Sequence, residues 1–132
     1  MTYSVGQKAS FSKTISESDV YQFAGISGDF NPVHVNKEAA EKSRFKRRVA
    51  HGALVSSFIS TVLGTRMPGE GTIYMAQNSS FLKPVYIGDT VTAICEIIEI
   101  DGRKAKIKTE VLNQIDEIVL TGEALVLLPS DD

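Results

Sequence analysis

Apolar and polar positions recur with two different periods along the chain. The first half follows helical spacing, and from Gly71 onward the pattern turns to alternation rich in Val, Ile and Thr. Ser16-Glu17-Ser18-Asp19 fits a capping box, with the Ser16 hydroxyl accepting from the Asp19 amide. Val20, Phe23, Ala24 and Ser27 follow at helical spacing, and Gly28 closes the helix. Asp29-Phe30-Asn31-Pro32 is expected to be non-helical, because proline drives Asn31 out of the α region and Asp and Asn favour turns. A second helix is predicted from Asn36, with residues 37–43 behind it. The third segment differs in kind: residues 49–65 hold no Asp, Glu, Lys or Arg. Leu54, Val55, Phe58, Ile59, Val62 and Leu63 make a broad apolar face, and Ser56, Ser57, Ser60 and Thr61 a face of small hydroxyls. A helix with no charged side is expected to be buried all round. The 13 residues 52–64 would span roughly 20 Å, which suits a core helix and falls short of a membrane span.

Strands follow. In residues 104–111, Lys104, Lys106, Lys108 and Glu110 alternate with Ala105, Ile107, Thr109 and Val111, so one face meets water and the other the core. Asp101-Gly102 before them is a strong hairpin signal. Residues 90–100 and 117–128 complete a run of antiparallel strands, with 113–116 as the turn between. Helices first and a meander afterwards predict an α+β fold, a long central apolar helix wrapped by an antiparallel β-sheet.

Composition narrows the picture. A chain of 132 residues, 42% hydrophobic and 23% charged, reads as one domain over 1–132 with its core at about 5–128. That is too little chain for a nucleotide-binding domain plus a substrate domain. Fourteen basic residues against 16 acidic ones give a net charge of −2, which removes the electrostatic case for nucleic acid. The N-terminal residues lack a signal-peptide pattern and no apolar run reaches membrane length, so the chain reads as cytoplasmic with no membrane partner. Cys95 is the only cysteine, which rules out an intrachain disulfide and a thiolate-rich zinc site. His34 and His51 are the only histidines, so where each one sits carries information.

Two stretches can do chemistry. In Ser27-Gly28-Asp29-Phe30-Asn31-Pro32-Val33-His34 an acid and an imidazole lie five residues apart around a proline-stiffened turn. Near neutral pH an ordinary aspartate is an anion and an ordinary imidazole mostly neutral. Such a pair can hold one water, the imidazole removing its proton while the carboxyl relays protons. The same residues also read as a plain turn in which Asp and Asn cap and His34 packs. The second stretch is Ala50-His51-Gly52, at the start of the apolar helix. Amides there are unpaired and favour negative charge, and Gly52 lets a ligand approach its N–H, as an oxyanion site requires. Alternatively, Gly52 only lets two elements pack, and His51 is structural. A metal held by Asp29, His34 and His51 fits on count, but no third nitrogen ligand and no metal-binding spacing support it.

The run Phe23-Ala24-Gly25-Ile26-Ser27-Gly28-Asp29-Phe30-Asn31-Pro32-Val33-His34, followed by Ala39 and Ala40, resembles the signature of the MaoC-like, (R)-specific enoyl-CoA hydratases. His51-Gly52 and Phe81-Leu82-Lys83-Pro84-Val85-Tyr86-Ile87-Gly88-Asp89 are similar to that family too, the latter as a strand, turn and strand of the hot-dog fold. The resemblance covers roughly residues 5–127. It implies a single hot-dog domain that dimerises sheet to sheet, as a homodimer or higher homo-oligomer with each site at the subunit boundary. It implies reversible addition of water to trans-2-enoyl thioesters, giving (R)-3-hydroxyacyl thioesters in fatty-acid or hydroxyalkanoate metabolism. Asp29 and His34 then activate the water, Asn31 orients the water or the loop, the Gly52 N–H faces the thioester oxygen, and Ser60 matches a family serine near the catalytic acid. No metal or organic cofactor is implied; CoA or an acyl carrier protein carries the substrate.

The near-neutral total charge conceals residues 42–48, five of whose seven members are Lys or Arg. Arg47, Arg48 and Lys83 are candidates for the phosphates of CoA or for an acidic carrier protein, and Arg66 and Arg103 are weaker ones; a solvated helix end explains the basic run equally well. Tyr74, Met75 and Phe81 read either as acyl-pocket residues or as core. Two other functions share the expected fold: an acyl-CoA thioesterase, in which water attacks the carbonyl, and a non-catalytic acyl-thioester-binding subunit. The presence of Asp29, Asn31 and His34 together favours the hydratase.

Overall fold

The computed structural model describes residues 2–130, so the ends of the expected 1–132 domain lie outside the described residues. The element order is β1 (Lys8–Thr14), α1 (Glu17–Ser27), α2 (Pro32–Val35), α3 (Lys37–Glu41), α4 (Gly52–Thr65), β2 (Ile73–Phe81), β3 (Thr90–Asp101), β4 (Lys104–Leu112) and β5 (Ile118–Leu127). The strands form one sheet in the order β1-β3-β4-β5-β2, with every neighbouring pair antiparallel. This α+β arrangement agrees with the expected class, with one correction: a strand precedes the helices. β1 pairs with β3 from Lys8↔Glu96 to Thr14↔Thr90, and hydroxyl pairs Ser12–Thr92 and Thr14–Thr90, each at 2.7 Å, line its outer row.

The start of α1 is as expected. Ser16 Oγ accepts from the Asp19 amide and Asp19 Oδ2 from the Ser16 amide, both at 2.9 Å. Gly28 ends the helix at φ 82, in the left-handed region that glycine enters without strain. Pro32, expected outside any helix, is the first residue of the one-turn α2, where its fixed φ and missing N–H cost nothing. α3 is shorter than predicted and ends at Glu41, while α4 runs one residue past Gly64. The hairpin loop between β3 and β4 is Gly102 and Arg103, with Gly102 at φ 62.

The inward row of the strands meets the apolar face of α4. Ile59, Val62 and Leu63 of α4, Ile97 of β3, Ile107 and Val111 of β4, and Leu120 and Val126 of β5 are at most 1% exposed. α4 touches β1, β2, β3 and β4, so the sheet spans its length. The expectation of burial all round does not hold for one chain: Ala53, Ser57, Ser60 and Gly64 are exposed. A single sheet covers a single side of a helix, and the hydroxyl face is the one it leaves open. Gly88 and Asp89 close the fold at the other end, where Gly88 N–H donates to Ile15 O and Ile15 N–H to Asp89 O.

Candidate functional site

A cavity of about 500 Å³ lies between the loop after α1, the start of α4 and the segment leaving β2. Asn31, His34 and Gly52 line it, together with Arg44, Phe45, Phe81 and Lys83. Each polar group here is held by local rules. Asp29 follows the Gly28 cap; its Oδ1 accepts from the Asn31 amide at 3.1 Å, which leaves Oδ2 toward His34. Asn31 caps α2: its Oδ1 accepts from Val33 N–H at 3.3 Å and its carbonyl from His34 N–H at 2.9 Å. Of the two roles the resemblance allowed Asn31, the bonds observed are those that orient the loop.

His34 sits on α2 with its Nδ1 2.7 Å from the carbonyl oxygen of Val49. A carbonyl only accepts, so Nδ1 carries the proton and Nε2 keeps a lone pair. That lone pair is 3.9 Å from Asp29 Oδ2, wide enough for both atoms to contact one water. The His34 ring is nearly buried, while 53% of the Asp29 side chain is exposed. The pair therefore joins a nearly buried imidazole that lines the cavity to a solvent-exposed carboxylate.

Gly52 is the first residue of α4, so its amide has no intrahelical acceptor. A Cβ on it would come within 2.8 Å of the Phe81 ring. A hydrogen there leaves the amide approachable. His34 and Gly52 line the cavity and Asp29 stands 3.9 Å from His34: a donor (Gly52 N–H), a base (His34 Nε2) and a carboxylate (Asp29), the set that an addition building charge on a carbonyl oxygen requires.

Other predicted residues fall elsewhere. Ser60 lies on the exposed side of α4 and does not line the cavity. Arg48 pairs with Glu17 at 2.7 Å and donates to the Tyr21 hydroxyl at 2.5 Å, pinning α1. Arg47 lies over the Tyr86 ring at 3.8 Å and faces a separate, smaller hollow. Arg66 and Arg103 donate to the carbonyls of Ser10 and Leu128. Lys83 does line the cavity and pairs with Glu117. Phe81 also lines it, whereas Tyr74 and Met75 are partly exposed on β2 and do not.

Sequence reasoning missed Arg44 and Phe45 as lining residues and the Val49 carbonyl as the partner of His34. The first two belong to the basic run already noticed; a carbonyl has no residue-type signal at all. Asp29, His34 and His51 place ligand-type atoms within 4.8 Å of one another, but His34 Nδ1 and His51 Nε2 are spent on carbonyl oxygens. The two rings lie face to face rather than edge-on to a shared point.

Comparison with known proteins bears on this geometry. The (R)-specific enoyl-CoA hydratase of Rhodospirillum rubrum is 48% identical over 126 residues, covering 95% of this chain and 88% of that protein. The 3-hydroxybutyryl-CoA dehydratase of Methylorubrum extorquens is 41% identical, covering 97% and 82%. Among solved structures, the (R)-hydratase from A. caviae involved in PHA biosynthesis superposes with a TM-score of 0.95 at 40% identity, covering 97% of this chain and 98% of that one. Residues 2–119 match the family described as the MaoC like domain, and the chain belongs to that family.

Proposed function

We propose that the chain is a hydro-lyase that adds water reversibly across the double bond of trans-2-enoyl thioesters, giving (R)-3-hydroxyacyl thioesters. The observation that carries this reading is the lone pair of His34 Nε2 facing Asp29 Oδ2 at 3.9 Å, with His34 and Gly52 lining the same cavity. The similarity to relatives named for hydration and dehydration supports the reaction class.

The thioester carbonyl accepts from the Gly52 amide, where the N-terminus of α4 favours the charge of an enolate. Water held between His34 and Asp29 attacks C3 and gives its proton to Nε2. That proton passes through the newly bonded hydroxyl, which lies between the two side chains, to the Asp29 carboxylate, which sets it on C2 as the enolate collapses. One C–O and one C–H bond form, the C=C π bond and one O–H bond of water are lost, and both side chains return to their starting states. Dehydration is the same path reversed. The step uses protein groups, water and substrate alone. CoA or an acyl carrier protein carries the acyl group, with Arg44 and Lys83 as the cations at the cavity.

The active form is a homodimer or higher homo-oligomer. β2 is a sheet edge that exposes Ile73, Tyr74, Met75 and Phe81, and α4 leaves its hydroxyl face open. A second copy at these surfaces covers both, and it is the route by which Ser60 could meet a catalytic acid.

Crotonyl-CoA, followed at the enoyl-thioester absorbance and with a thiol reagent in parallel, tests the reading. Loss of absorbance without thiol release, with (R)-3-hydroxybutyryl-CoA as product, is expected. Thiol release would make the protein a thioesterase, and neither change would leave a binding subunit.

A further inference from the structure

The proposed chemistry uses one of the two histidines and leaves the other unexplained. His51 is 2% exposed. It stands at the N-cap position of α4, yet its side chain makes no capping bond. Its Nε2 lies 2.9 Å from the backbone carbonyl oxygen of Asp29, so Nε2 carries the proton. Its ring faces that of His34 at 3.8 Å between centroids and 26° between planes. Phe23 of α1 packs against it at 4.9 Å. The other nitrogen, Nδ1, is buried with no hydrogen-bond partner among the described residues. An unpaired buried nitrogen is destabilising, and an apolar ring at this place would carry none. The imidazole is kept, on this reasoning, for what Nε2 does.

We propose that His51 is a positioning residue for the hydration step: its Nε2–H anchors the Asp29 backbone while its ring supports the face of His34, so that the carboxylate and the His34 lone pair address one water. The proposal rests on the reading of Asp29 and His34 as the catalytic pair. The Asp29 side chain is half exposed, and its other bonds are local, from its own amide to Ser27 Oγ and from the Asn31 amide to Oδ1. The bond from His51 ties it to the residue that opens α4 and hence to the Gly52 amide beside it. The Val49 carbonyl holds one edge of the His34 ring, about which the ring could still pivot; the flat contact with His51 blocks that pivot. A shift of about 1 Å between reacting groups costs on the order of 100-fold in rate.

Two variants separate this role from packing. His51→Phe keeps a flat ring under His34 and removes the donor. His51→Gln returns an amide nitrogen near the place of Nε2. For His51→Phe, kcat for crotonyl-CoA hydration should fall about 10-fold to 100-fold with KM nearly unchanged, while circular dichroism shows the fold retained. His51→Gln should recover part of that loss in kcat. Wild-type kcat in His51→Phe, measured where His34→Ala is inactive, overturns the positioning role and leaves the catalytic reading standing. Activity in His34→Ala overturns both. In the unmodified protein, ¹⁵N NMR should find the proton on Nδ1 of His34 and on Nε2 of His51; a proton on Nδ1 of His51 would refute the proposal without any variant having to fold.

Discussion

The two oxygens of the Asp29 carboxylate have different tasks, Oδ1 accepting from the Asn31 amide and Oδ2 facing His34 Nε2. Asp29→Asn keeps an oxygen for the turn but removes the charge opposite the imidazole, so crotonyl-CoA hydration should fall about 10²- to 10⁴-fold with the urea midpoint little changed. Asn31→Ala acts differently. It removes the cap of α2, costing about 0.5–2 kcal/mol in urea unfolding, and lowers turnover because α2 carries His34. Gly52→Ala places a methyl against Phe81, whose exposed ring can yield; the fold should persist while the methyl stands where the carbonyl must approach the amide. That Asp29 and His34 lie close together was legible in the sequence because they flank one short turn, while Asn31 was singled out by the family resemblance. The Val49 carbonyl and the stacking of His51 on His34 were not, since both depend on contacts between distant parts of the chain.

β2 and β5 lie closer at Gly122 than any side chain permits. A Cβ there would stand 2.0 Å from the Asn78 carbonyl oxygen, and backbone cannot swing aside as the Phe81 ring can. Gly122→Ala should therefore cost more than about 3 kcal/mol, a size reserved for strain of this kind, read as a large drop in thermal midpoint. In β3, burial pushes the Cys95 thiol up to about 12 from 9.0. The native protein should thus ignore a thiol reagent near pH 8 and react once unfolded. The linkage has a definite sign: above pH 9.0 the unfolded thiol ionises while the folded one stays protonated until about 12, so stability falls as pH rises through that window. Cys95→Ala should lose less of its thermal midpoint between pH 8 and about pH 10 than the wild type does. Tyr74, also raised to about 12 mainly by burial, adds a drop of the same sign in both proteins. β4 was plain in the sequence because every second residue is charged or apolar in turn. β1 was not, because Phe11 is its one large apolar residue and Lys13, which pairs with Asp19 at 3.2 Å, sits on the same row.

The molecule as a whole presents one covered and one uncovered side. The absence of charge in residues 49–65 announced a helix that something must bury, but a sequence does not say whether the cover is the same chain or another copy. Within one chain the sheet meets the apolar face alone, and the exposed apolar residues of β2 lie along an edge with no further strand among the described residues. Sedimentation at micromolar concentration should accordingly give a mass of at least twice 14.4 kDa; a 14.4 kDa species that hydrates crotonyl-CoA at full rate would contradict a shared site. No helix among the described residues is long and apolar enough to cross a membrane.

The claim on which the rest depends is that His34 takes the proton from the attacking water. Turnover of crotonyl-CoA by His34→Ala, with its folding confirmed by circular dichroism, measures this directly. The expected result is a loss of about 10²- to 10⁴-fold; near wild-type turnover would contradict the account.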